Sequence, residues 1–79
     1  MISIEELFTY HPPQGNQVER YQEIRDKGRE LAELIKKHCP NNSDTQAAIE
    51  KIREAVMRAN AAIACGEIYD ENEVIHRSY

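Results

Sequence analysis

The stretch Asn16–Cys65, NQVERYQEIRDKGRELAELIKKHCPNNSDTQAAIEKIREAVMRANAAIAC, decides the fold. In its first half, apolar or small residues recur at Tyr21, Ile24, Gly28, Leu31 and Ile35, then His38. In its second half they recur at Ile49, Ile52, Val56, Ala59 and Ile63. Steps that alternate between three and four residues align one side of an α-helix, whereas a half-buried strand alternates every second residue. Pro40 interrupts the pattern and is followed by Asn41 and Asn42. A proline lacks the N–H that a helix needs and pushes the preceding residue, here Cys39, out of helical geometry. The stretch therefore predicts two long helices, over 16–39 and 43–65. So short a connection makes them antiparallel, as an αα-hairpin.

The ends of these segments carry capping signals. Asn16 with Glu19, and Ser43 with Gln46 behind Asp44, read as capping boxes, in which a side-chain oxygen accepts an otherwise orphaned backbone N–H. Gly66 reads as a helix stop. Gly28 on the seam costs about 1 kcal/mol of helix propensity against alanine, so its presence predicts a close approach by a neighbouring backbone or side chain. Alanines at 47, 48, 55, 61, 62 and 64 widen the apolar face of the second helix.

Outward from the hairpin lie an arm, 1–15, and a tail, 67–79. Ser3 with Glu6 predicts a short N-terminal helix, and Thr9–Gly15 reads as extended because Pro12 and Pro13 bias their predecessors to polyproline or β geometry. Phe8 reads as a residue that pins the arm to the hairpin. The tail is acidic with scattered Ile68, Tyr69, Val74, Ile75 and Tyr79, and reads either as frayed or as docked on a neighbouring chain. The chain forms one domain of 79 residues, and a two-helix hairpin of that size is short of core. Leu34, Val18, Met57 and the alanine surface remain over once the seams meet, so the fold expected is all-α, a hairpin packed into a homo-oligomer.

Fourteen acidic against ten basic residues give a charge of −4, which argues against a DNA-duplex reader. The longest uncharged stretch, Ala59–Gly66, is far below the roughly 20 residues of a membrane span. No signal-like segment opens the chain, and two cysteines, Cys39 and Cys65, fit a reducing compartment, so a cytoplasmic location is expected. The sequence has no glycine-rich phosphate loop and no nucleophile elbow, and His11, His38 and His76 stand in no metal-ligand spacing with the cysteines. No enzyme, metal or cofactor is expected.

The cations are more informative by placement. With Tyr21 and Ile24 as seam positions, Arg20, Arg25 and Lys27 flank the interface. Such positions ordinarily form interhelical ion pairs, and Glu23 with Lys27 makes a good pair within the helix. They equally suit an anion site at a junction between chains, since guanidinium forks match phosphate oxygens. Tyr10 stands beside these cations in a segment stiffened by two prolines, and a rigidly presented ring suits a nucleobase, which stacks for about 1–3 kcal/mol. Asn60, one residue past seam position Ala59, either fixes helix register or bonds a ligand.

Phe-Thr-Tyr-His-Pro-Pro (8–13), Gln-Val-Glu-Arg-Tyr-Gln-Glu-Ile-Arg (17–25) with Glu-Leu-Ala following, and Glu-Ala-Val-Met-Arg-Ala-Asn-Ala-Ala-Ile-Ala (54–64) together resemble the phage anti-CBASS cyclic-nucleotide sponges, a helical-hairpin family shared with anti-Thoeris sponges. The resemblance spans Phe8 to Gly66. It implies a homo-hexamer of hairpins that sequesters signalling cyclic dinucleotides, and in some members cyclic trinucleotides, without cleaving them, so that the host's CBASS effector is starved of its activator. It implies base stacking on Tyr10 and phosphate contact at Arg25, with Lys27 next; His11 and Asn60 complete the candidate site. Cys65 stands where the family's second, trinucleotide site has a basic residue. The rival reading is a helical adaptor or assembly protein with no nucleotide ligand, its charges serving only to choose partner helices.

Overall fold

A computed structural model describes residues 3–69 and 74–76. The chain forms α1 (Ile4–Phe8), α2 (Gln17–His38), α3 (Ser43–Gly66), β1 (Glu67–Tyr69) and β2 (Val74–His76). The short helix and the two-helix hairpin are those expected. The strands are an addition to the all-α reading: β1 and β2 pair antiparallel, with Glu67 opposite His76, Ile68 opposite Ile75 and Tyr69 opposite Val74. Tyr79 and residues 70–73 of the tail lie outside the described residues.

The caps follow local chemistry. Ser3 Oγ accepts from Glu6 N at 3.2 Å to start α1. At α3 the cap is Asn42 in place of Ser43: Asn42 Oδ1 accepts from Thr45 N at 3.0 Å, and the Thr45 hydroxyl donates to the Pro40 carbonyl. The extended backbone of Asn42 offers its amide to the helix end and leaves Ser43 inside the first turn. At α2, Asn16 makes no capping bond, because its Oδ1 is taken by Arg20 Nε at 3.0 Å. A turn precedes it instead, with Gln17 N donating to Gln14 O and Gly15 at φ 56°, a left-handed backbone that glycine adopts without a Cβ penalty. Helix α3 runs through Gly66 and leaves helical geometry at Glu67.

The two long helices meet along the expected seam with one shift. Ile24, Gly28 and Ile35 face Ile49, Ile52, Val56, Ala59 and Ile63, all half-buried, but Ala32 lies inward where Leu31 was expected, and His38 is exposed. The approach is close at Gly28, where a Cβ would sit 2.5 Å from Val56 Cγ2. Nothing but glycine fits there unless Val56 or the helices move.

One protomer has almost no core. Cys65 is the single buried apolar side chain among the described residues, while Phe8, Val18, Leu34 and Met57 are exposed. Phe8, at 86% exposure, does not pin the arm. The radius of gyration is 15.6 Å, against about 12 Å for a compact chain of this length. The accessible surface is 6442 Å². A compact monomer of this mass exposes about 4,900 Å², so roughly 1,500 Å² is in excess. Among the described residues, no helix is long and apolar enough to cross a membrane.

Candidate functional site

The close contact of Gly28 with Val56 divides the hairpin surface into two grooves. One, of about 260 Å³, has a floor of Gly28, Ile52 and Val56 and a rim of Arg25, Arg29 and Arg53. The other, of about 320 Å³, lies on the opposite side of the contact and is nearly all apolar, with Lys27 and Leu31 on α2 and Ala55 and Ala59 on α3. Arg25 and Lys27 thus open onto different grooves.

The arginines differ in what they hold. Arg29 pairs with Glu33 at 3.0 Å, Arg53 with Glu50 at 3.6 Å, and Arg58 with Glu54 at 3.1 Å. The last pair, with Lys51 near by, holds the Glu54 carboxyl below its ordinary value, the Arg58 hydrogen bond contributing most. Arg20 donates through both Nη atoms to Glu67, at 2.8 and 2.6 Å. Among the described residues Arg25 is the arginine without a carboxylate partner. An exposed guanidinium with its fork unoccupied is available to an anion at no cost in broken pairs. Lys27 lies on the same helix but is paired with Glu30 at 3.3 Å.

Tyr10 and His11 belong to the arm and line neither groove. The Tyr10 ring is 80% exposed, a presentation that leaves both faces open to stacking. His11 Nε2 donates to the Glu6 carbonyl at 2.6 Å, which fastens the arm to α1. Arg25 lies about 12 Å further along α2 than Gln17, by helical rise. Asn60 is half-buried on α3, and its Oδ1 is inaccessible and without a hydrogen-bond partner. A buried carbonyl oxygen left unpaired is costly. Within one protomer the five residues singled out by sequence form no common pocket.

Sequence reasoning missed the most buried polar cluster. Gln17 is 4% exposed; its Nε2 donates to Glu67 Oε1 at 3.1 Å and its Oε1 accepts from Gln14 N at 3.0 Å. The Glu67 side chain is 5% exposed. Arg20, read as an interface cation, is committed to this cluster. Nothing local in the sequence signals it, because the partners stand 47 and 50 residues apart.

Among the described residues no group of three or more His, Cys, Asp or Glu is placed to hold a metal ion. No curated protein and no solved structure matches the chain. One family model does, over residues 2–64; its description is Acb2/Tad1, hairpin domain.

Proposed function

Because this chain belongs to the Acb2/Tad1 hairpin family, whose members are cyclic-nucleotide sponges that bind and do not catalyse, we propose that it sequesters signalling cyclic dinucleotides in pockets between subunits. The observation that carries this reading is the unpaired guanidinium of Arg25 on an acidic chain, where the other arginines among the described residues are already committed. A cyclic dinucleotide presents two phosphates and two base faces about a near two-fold axis. A two-fold pair of protomers supplies one Tyr10 and one Arg25 from each side, which matches that symmetry. Local charge, not the net −4, governs the encounter.

The excess of exposed surface supports assembly. Roughly 1,500 Å² per chain above the compact expectation is about twice the roughly 800 Å² per partner that a standard stable interface buries. In this reading the chain is a homo-oligomer, a hexamer as in its relatives, and Tyr10, Arg25, Lys27, His11 and Asn60 contribute from neighbouring copies. Sequestration in the infected cell's cytoplasm would deprive CBASS effectors of their activator. Cys65 is buried and stands where the family's second site has a basic residue, so in this reading the preferred ligand has two nucleotides.

The test is direct. Purified protein is titrated with 3′,3′-cyclic GMP–AMP and related cyclic dinucleotides by calorimetry, then denatured and the nucleotide recovered. Saturable binding with intact nucleotide is expected. Absence of binding to every cyclic dinucleotide would leave the adaptor reading standing, and a cleaved product would make the protein an enzyme.

A further inference from the structure

Two side chains that prefer water are buried in a molecule with almost no core, the Gln17 amide at 4% exposure and the Glu67 carboxylate at 5%. Such burial is tolerated only where polar atoms are paired, and here the pairing joins three segments of chain. Arg20 grips Glu67 with both Nη atoms, which ties the first turns of α2 to the end of α3. Gln17 then reaches from Glu67 to the backbone N–H of Gln14 and holds the turn over Gly15. From that turn Pro12 and Pro13 run back as a stiff strut to His11, which is fastened to the Glu6 carbonyl. Tyr10 precedes His11. The arm is therefore braced at both ends by hydrogen bonds, and it has little apolar anchorage, since Phe8 and Tyr10 are 86% and 80% exposed.

We propose that Glu67 is a positioning residue for Tyr10, acting through Gln17 and the turn at Gly15; this rests on the reading of Tyr10 as the base-stacking residue. The α2–α3 pair is already joined by its seam from Ile24 to Ile63, so the polar cluster adds little to that contact. It adds the orientation of the arm, which the seam does not reach.

The experiment compares Gln17→Ala and Glu67→Gln with wild type, in the full chain. By amide hydrogen exchange and heteronuclear relaxation, Gln14 and the arm from Tyr10 to Gly15 lose protection and order in Gln17→Ala, while amides of α2 and α3 beyond the first turn keep theirs. An arm as ordered as wild type in that variant overturns the proposal. Binding of 3′,3′-cyclic GMP–AMP weakens about tenfold, the scale of one lost buried hydrogen bond. In a Tyr10→Ala background the same substitution has no further effect on affinity, because its route to the ligand is gone. Additive losses overturn the positioning role. Glu67→Gln retains an oxygen for Gln17 and loses the charge held by Arg20, so it loosens the arm less than Gln17→Ala; an equal or larger loosening assigns the effect to the helix clamp and overturns the route through Gln17. If wild type binds no cyclic dinucleotide, the functional reading falls with the role for Tyr10, and the relaxation data alone decide whether the cluster holds the arm.

Discussion

Replacing Gly28 by alanine tests the close contact of α2 with Val56. A Cβ there would stand 2.5 Å from Val56 Cγ2. Carbon atoms pack at about 3.5–4.0 Å, so one side must retreat by about 1.0–1.5 Å. Val56 is β-branched and holds one rotamer in a helix, so it cannot swing away and the helices must separate. Overpacking of this kind costs about 1–3 kcal/mol, and it is offset by about 0.5–1 kcal/mol of helix propensity gained on leaving glycine. The expected net loss is about 1–2 kcal/mol. For a chain of this size that lowers Tm by about 4–8 °C per kcal/mol, read by circular dichroism at one fixed protein concentration because assembly links stability to concentration. The sign must reverse when the obstacle is removed: in a Val56→Ala background, Gly28→Ala raises Tm. A rise in Tm with Val56 present refutes the contact, and a fall of equal size in both backgrounds refutes its assignment to Val56. Arg25 lies three residues from Gly28 on the same helix, so the single variant also shifts the guanidinium and weakens nucleotide binding.

Three further outcomes are expected. Arg25→Ala abolishes cyclic dinucleotide binding by calorimetry while light scattering reports an unchanged oligomer; dissociation of the oligomer would show that the guanidinium was bound to a neighbouring chain's carboxylate. Asn42→Ala destabilises by about 1 kcal/mol through the lost cap, whereas Ser43→Ala changes Tm little, and the reverse order would return the cap to Ser43. Glu54, with its carboxyl pulled below the ordinary 4.5 by Arg58 and Lys51, contributes a small stabilisation that is present above that value and lost as pH falls through the lowered one. Glu54→Gln is therefore slightly less stable than wild type near neutrality and equal to it at low pH, so the acid limb of its pH–stability curve is slightly shallower.

The hairpin was legible because its signals are local. Alternating steps from Ile24 to Ile35 and from Ile49 to Ile63 place each residue on a face without knowledge of the partner. Leu31 is exposed and the smaller Ala32 beside it half-buried, a difference that alternating steps do not encode. Gly28 was readable as a close approach, but not that Val56 fills it. The strands escaped because Glu67–Tyr69 and Val74–His76 are each three residues long and the polar residues 70–73 between them lack an Asn-Gly or Asp-Gly turn. The candidate site was legible as a set of residue types, Tyr10 and Arg25 among them. Which cations were free was not, because Arg20 is claimed by a carboxylate that lies far along the chain.

The two cysteines occupy opposite extremes of this fold, Cys39 exposed beyond the end of α2 and Cys65 buried as the single enclosed apolar side chain among the described residues. A thiol reagent therefore meets a reference and a reporter in the same molecule. Cys39 reacts at a rate set by the reagent alone, and Cys65 only in the fraction of time the helix ends part. The ratio of the two rates is a running measure of how often one chain comes open. Its dependence on protein concentration and on nucleotide would reveal how far each neighbour, large or small, keeps that chain closed.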